Sequence, residues 1–373
     1  MAVSRRNLLR SAAAVVPALA LGSALPGGAS AAGGALPEWR VFPFTTSSDW
    51  YGFKRLAFAP GGGAMAAGSH YHWDEIVKEE PAAFAFDGTD WKSYEFSKFP
   101  KDTRPLTGIS VGAADDVWAV GERINRPTML DEAQILHWDG TAWSDRTGAA
   151  GSAIGRPEQI DGTGGALWVV GNAKYPATGA VALRRSGSAW TSVPLPATLG
   201  AHSGLLTVRV VAADDVWVGG YTATEARGTR TPLVMHWNGT AWKVLPTPFG
   251  SALGQVSALL VRDGVCWAGG AAGARAAVAT WSGGAWSLRS PEGQDASEVT
   301  QLAAYGAEVW SVGTRVALQR WTGASWSAAP SPTSAPLTSG ALANGPDGSL
   351  WLAGSTSAAG GVPAFFAQLP AAA

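Results

Sequence analysis

One short phrase returns seven times along this chain, and it constrains the possible folds more than any other feature. The strong copies are Asp116-Val117-Trp118-Ala119-Val120-Gly121, Ala166-Leu167-Trp168-Val169-Val170-Gly171 and Asp215-Val216-Trp217-Val218-Gly219-Gly220. They continue with Val265-Cys266-Trp267-Ala268-Gly269-Gly270, Glu308-Val309-Trp310-Ser311-Val312-Gly313 and Ser349-Leu350-Trp351-Leu352-Ala353-Gly354. A weaker copy, Ala64-Met65-Ala66-Ala67-Gly68, carries Met65 in the Trp place. From Met65 to Trp351 the copies lie 53, 50, 49, 50, 43 and 41 residues apart. Self-similarity at this period marks a stack of small units that bury their faces against one another.

A second phrase follows the first six copies. It reads Phe86-Asp87-Gly88-Thr89-Asp90-Trp91 in the first unit, Trp138-Asp139-Gly140-Thr141-Ala142-Trp143 in the second and Trp237-Asn238-Gly239-Thr240-Ala241-Trp242 in the fourth. Asp-Gly or Asn-Gly between apolar runs is a hairpin signal, because both residues tolerate positive φ. Each unit then has four strands. In the fourth they are Leu205–Ala212 innermost, Val216–Tyr221, Leu233–Trp237, and Trp242–Leu245 outermost. With 48 Gly, 19 Trp and only 15% charged residues, the composition favours short strands and tight turns over helices. The fold expected is all-β, a seven-bladed β-propeller of four-stranded blades. Trp118, Trp168, Trp217, Trp267, Trp310 and Trp351 are its expected structural fillers, lying where the wedge between blades widens away from the axis.

The ends explain each other. The seventh repeat has Ala364-Phe365-Phe366-Ala367-Gln368-Leu369 as a third strand and then no fourth. Before the first repeat stands Glu38-Trp39-Arg40-Val41-Phe42-Pro43, patterned like the outer strand Ala241-Trp242-Lys243-Val244-Leu245-Pro246. The N-terminal strand is therefore expected to close the last blade, with Trp39 as a further structural residue. Such a splice covers an edge open to aggregation.

Ahead of that strand, Ser4-Arg5-Arg6-Asn7-Leu8-Leu9-Arg10 precedes an apolar run and Ala29-Ser30-Ala31. This matches a twin-arginine signal peptide over residues 1–31, leaving 32–373 as a single propeller domain, secreted and extracellular. The apolar run is too short for a good membrane anchor, so no membrane insertion is expected. Without the three leader arginines, 24 of the 27 Lys and Arg remain against 28 Asp and Glu. A mildly acidic surface argues against nucleic acid as partner. Cys266 stands alone in an apolar strand pattern, which excludes an intramolecular disulfide and favours a buried, inert thiol.

Blade four, with Gly219-Gly220-Tyr221, then His236-Trp237-Asn238-Gly239-Thr240-Ala241-Trp242, resembles a kelch repeat. Several blades lack the glycine doublet and the usual tyrosine, so the chain is kelch-like, similar to secreted actinobacterial propellers. The resemblance implies binding of a protein or glycan, and one secreted kelch branch resembles galactose oxidase. That branch needs a Cys cross-linked to a copper-ligating Tyr, whereas Cys266 sits beside a core Trp. His137 and His236 share one repeat position, which marks them as structural. A sialidase Asp-box has a residue between Asp and Gly that these turns lack.

Loops joining second to third strands share one face of a propeller, and here they are the long ones. They are expected to carry the binding residues His70, Tyr71, His72, Trp73 and Asp74 in blade one, Arg123 and Arg126 in blade two, and Tyr221 and Arg227 in blade four. His70 and His72 are the weak metal candidates, since i and i+2 share one side of an extended segment. The plain alternative is a solvated loop with incidental histidines. Tyr71 and Trp73 could stack on a sugar, or simply cap the blade. No catalytic residue is identified, and no cofactor is expected. The reading is a monomeric, non-catalytic binding module for a glycan or an extracellular protein. The rival is a secreted carbohydrate-active enzyme or metalloenzyme with a site at the axial mouth. The inner strands Leu106–Val111, Leu205–Ala212 and Val256–Val261 are mostly apolar, which favours binding.

Overall fold

Each repeat of the phrase becomes the second strand of a four-stranded antiparallel sheet, and seven such sheets form. The computed structural model describes residues 37–44, 50–74, 76–94, 98–151, 153–174, 177–291, 297–314, 316–356 and 364–372. The leader at 1–31 and Glu75 lie outside the described residues, as do the side chains of His72, Trp73 and Asp74. In blade four the strands are Gly204–Ala212, Asp215–Ala223, Arg230–Trp237 and Trp242–Val244. Six blades follow chain order. The seventh runs Leu337–Asn344, Leu350–Thr356, Ala364–Leu369 and then Arg40–Phe44 from the other end of the chain. Its register, Arg40 opposite Gln368 through Phe44 opposite Ala364, is the expected closure.

The innermost strands complete a ring. Trp50–Phe58 neighbours Thr103–Ala113, the contacts pass strand by strand through the blades, and Leu337–Asn344 meets Trp50–Phe58 again. A ring leaves the inner edge of every sheet unpaired, and side chains from adjacent blades cover it. Gln159 Oε1 accepts from the Val208 N–H at 3.0 Å, Asp161 Oδ2 from Val210 at 2.7 Å, and Gln301 Oε1 from Leu342 at 3.0 Å. Buried N–H groups have to find acceptors, and here one blade supplies them to the next.

Between the blades lie seven apolar clusters, one per interface. Trp168 and Trp310 are wholly buried, Trp118, Trp217 and Trp351 nearly so, and Trp267 only in part. The residue two places before the Trp explains the acidic letter of the repeat. Asp116 Oδ1 accepts from Trp118 Nε1 at 2.9 Å and from His137 Nε2 at 2.9 Å. Asp215 does the same for Trp217 and His236, each at 2.8 Å. In blade six Glu308 takes the Trp310 N–H and the Arg320 guanidinium, each at 2.9 Å. His137 and His236 are thus structural, as their shared repeat position implies.

Trp39 stands one residue ahead of its strand. Its ring meets Trp310 edge-on at 6.0 Å, and its Nε1 donates to the Pro330 carbonyl at 2.8 Å. Trp286 makes the same bond to Pro246 at 2.7 Å, one blade onto the preceding one. Trp39 therefore behaves as an outer-strand Trp of blade seven. Phe42, opposite Phe366 in register, stacks on Trp351 at 5.5 Å.

The Asp-Gly turns form by a different route from the one their sequence suggested. Only the glycines carry positive φ, +98° at Gly88, +90° at Gly140 and +92° at Gly239. The preceding residue acts through its side chain instead. Asp139 Oδ1 accepts from the Thr141 and Ala142 N–H groups at 2.9 Å, and Asn238 Oδ1 does so from Thr240 and Ala241. These are Asx turns, in which the side chain replaces a backbone acceptor. The same bonds hold the Asp139 carboxyl below the usual carboxylate range.

Candidate functional site

The terminal glycine of the repeated phrase builds the axial mouth. Every inner strand carries a β-bulge, after Phe53, Leu106, Pro157, Leu205, Val256, Val299 and Leu337. In six blades it lies opposite the repeat glycine. A Cβ there would stand 2.0 Å from a carbonyl oxygen of the inner strand at Gly68, Gly171, Gly220 and Gly270, and 1.8 Å at Gly313. Only glycine lets the bulged strand approach so closely. Replacing Gly220 by Ala should therefore force the blade's first two strands apart, costing about 2–3 kcal/mol. Urea unfolding at parental stability would contradict that.

The extra residue of each bulge faces the axis: Lys54, Thr107, Glu158, Leu206, Ser257, Thr300 and Thr338 all line one cavity of about 560 Å³. Arg55, Arg156, Tyr221, Arg230, Gln255 and Glu298 join them. A second cavity of about 380 Å³ continues along the axis, and Arg55, Thr300 and Gln301 line both. The expectation that the inner strands present an apolar mouth is therefore corrected. The three segments it rested on are indeed mostly apolar, but the charges come from Lys54 and Arg55 of blade one, Arg156 and Glu158 of blade three, Arg230 of blade four and Glu298 of blade six.

These polar groups are organised. The Arg156 Nε lies 3.1 Å from Glu158, and Asn172 Nδ2 donates to the same carboxylate at 3.5 Å. Burial raises the Glu158 carboxyl, against the opposing pull of Arg156, Arg55, Lys54 and Arg230. Arg230 lies over the Tyr221 ring at 4.0 Å and donates to Gln255, whose Nε2 reaches Glu298 at 2.7 Å. Burial lowers Arg55 to about 10, partly offset by Glu158 and Asp161, so it stays charged at neutral pH.

From the mouth a groove leads outward over blades three and four. A third cavity, about 460 Å³, is lined by His202, Ser203, Glu225 and Arg227, and it shares Asn172, Tyr221 and Arg230 with the mouth. Gly204 sets its shape: a Cβ there would lie 2.5 Å from Asn172 Oδ1 and 2.8 Å from the Tyr221 ring. Of the residues expected from sequence, Tyr221 and Arg227 meet in this groove.

His70, Tyr71, Arg123 and Arg126 do not line it. In blade one His70 and Tyr71 lie within paired strands, Ala64–Asp74 and Ile76–Phe86, whose register runs to Asp74 opposite Ile76. His70 lies flat on Tyr51 at 4.5 Å, and Tyr71 donates to Glu79 at 2.7 Å. Burial and that neighbouring carboxylate raise the Tyr71 hydroxyl. Among the described residues no group of three or more His, Cys, Asp or Glu is placed to hold a metal. In blade two Arg123 lies 3.4 Å from both Glu132 and Asp145, and Arg126 holds Asp102 at 2.6 Å. Cys266 is buried, which pushes its thiol up.

Sequence reasoning missed Lys54, Arg55, Arg156, Glu158 and Glu298. A signal existed: in six blades the bulge residue stands 13 or 14 positions before the repeat glycine, as with Lys54 and Gly68 or Glu158 and Gly171.

No family model and no curated protein matches the chain. Solved structures do. "YCF48 bound to D1 peptide" aligns at TM-score 0.58 and 16% identity, over 90% of this chain and 98% of that one. YCF48 from Cyanidioschyzon merolae gives 0.55 and 12%, over 89% and 98%. The WD40 propeller domain of Doa1 gives 0.55 and 8%, over 88% and 97%. At these identities the likeness is one of fold. Among the described residues no helix is long and apolar enough to cross a membrane.

Proposed function

We propose that this protein is a non-catalytic extracellular binding module that receives a segment of another protein across its long-loop face. One observation carries the reading: the axial mouth and the blade three–four cavity share Asn172, Tyr221 and Arg230, and so form one groove. An extended segment fits such a groove, with the Tyr221–Arg230 stack as a rigid wall. Aromatic and arginine side chains of this kind dominate binding energy at protein interfaces. One structural neighbour, YCF48, is itself bound to the D1 peptide, so a propeller of this outline is compatible with the role. The export signal at Arg5 and Arg6 supports an extracellular partner, and the kelch-like pattern supports the same use.

The mouth carboxylates could instead suggest hydrolysis. Glu158 is held by Arg156 and Asn172, and Glu298 by Gln255 and Ser257. Carboxylates engaged in this way favour a fixed recognition surface over an acid–base pair.

Selection of displayed dodecapeptides against the full chain tests the proposal. Binders are expected, and Tyr221→Ala should weaken them about tenfold or more. Sugars bound on a glycan array, with no peptide selected, would overturn it.

A further inference from the structure

We propose that Arg55 is an anion site within the axial mouth, and that a carboxylate of the bound segment pairs with its guanidinium. The inference rests on the protein-binding reading and deepens it by naming the chemistry of the anchor.

Arg55 occupies the boundary between the two axial cavities, lining both. Its Nη1 donates to the Lys54 carbonyl at 3.1 Å, while its Nε is buried with no hydrogen-bond partner. Among the described residues no carboxylate comes within ion-pair distance of it. The two that influence it, Glu158 and Asp161, are engaged elsewhere. Glu158 pairs with Arg156 at 3.1 Å, and Asp161 accepts from Val210 at 2.7 Å with Arg209 at 4.0 Å. Arg55 is half-buried with its Nε wholly so, and a cation drawn out of water without a counter-charge is costly, yet the fold keeps it with a donor to spare.

The surroundings point the same way. Lys54, the adjacent bulge residue, is exposed at the mouth, and no described carboxylate pairs with its amine. Lys54, Arg55, Arg156 and Arg230 face Glu158 and Glu298, so the mouth is positive in a chain whose net charge is −1. Complementary potential of this kind steers an anion in and fixes its orientation. The planar guanidinium fork suits a carboxylate. That group is either an acidic side chain or a chain terminus.

The test follows the Arg55 Nε–H resonance of the full chain during titration. The probes are acetate and three tetrapeptides: Ac-Gly-Asp-Gly-Gly-NH2, Ac-Gly-Gly-Gly-Gly-OH and Ac-Gly-Asn-Gly-Gly-NH2. Acetate and at least one carboxylate peptide should shift the resonance and saturate, while the Asn peptide should not. Which carboxylate peptide binds more tightly tells side chain from terminus. Arg55→Met should weaken binding about tenfold or more, and Arg55→Lys less, with added salt weakening the unaltered protein. Arg55→Met should melt no lower than the parent, since a half-buried charge without a counter-ion is gone. Should it not fold, the resonance and Arg55→Lys still decide. An Arg55 resonance that no carboxylate moves, or equal affinity in the variants, would overturn the site.

The two proposals fail separately. Display-selected peptides that bind Arg55→Met as well as the parent would sink the anion site and leave the protein-binding groove. Acetate binding at Arg55 with no selectable peptide would leave the site and sink the groove.

Discussion

A chain lacking residues 37–44 is expected to lose the propeller rather than a tail. Those residues supply the outer strand of blade seven, from Arg40 opposite Gln368 to Phe44 opposite Ala364. Phe42 is 7% exposed, stacks on Trp351 at 5.5 Å and meets Phe86 edge-on at 5.8 Å. Losing one such phenyl ring costs about 3–5 kcal/mol. Trp39 adds its contact with Trp310 and its bond to Pro330. The deletion also leaves Ala364–Leu369 as an open edge, with Phe365 and Phe366 newly uncovered. The combined loss is comparable to the whole stability of an ordinary domain, about 5–15 kcal/mol. Far-UV circular dichroism and a thermal melt check it. A cooperative melt within a few degrees of the intact chain would contradict the closure.

Trp310→Ala is expected to cost about 3–5 kcal/mol, and Trp267→Ala clearly less, although both residues hold the same place in the repeat. Trp310 is wholly buried, touches Trp39 and Tyr305, and gives its N–H to Glu308 at 2.9 Å. Its removal opens a cavity at the seam where the chain ends meet. Trp267 is only partly buried, and among the described residues its one aromatic neighbour, Trp321, lies 6.3 Å away. Urea titration of the two variants gives the comparison, and equal losses would contradict the burial difference.

The fold was legible because each blade repeats a local pattern. The Trp-bearing strand, the glycine turn and the missing fourth strand at the C-terminus are all features of neighbouring residues. Arg40–Phe44 could be matched to blade seven because Trp39 stands where Trp242 stands in blade four. The mouth was hidden for the opposite reason. Which side chain faces the axis depends on a one-residue bulge, and a bulge shifts the facing of every residue beyond it. Lys54 and Glu158 read as ordinary alternating positions until Gly68 and Gly171 are placed opposite Phe53 and Pro157. Three apolar inner strands then seemed to speak for all seven.

Polarity misled in blade one. His70 and Tyr71 suggested a loop, yet they lie in a long hairpin, His70 opposite Glu80 and Tyr71 opposite Glu79. Arginines in blades two and four looked alike in sequence. Those of blade two are tied to Glu132, Asp145 and Asp102, while Arg230 is free to stack on Tyr221 because Gly204 leaves room for the ring.

Labelling of a single thiol in Thr300→Cys tests the account most directly, since Thr300 is a bulge residue lining both axial cavities and Cys266 is buried. The cysteine should react readily with a small charged maleimide in the folded chain. A saturating display-selected peptide should slow that reaction about tenfold or more. A thiol silent until unfolding, or one labelled equally fast with the groove occupied, would contradict a polar mouth that receives the ligand.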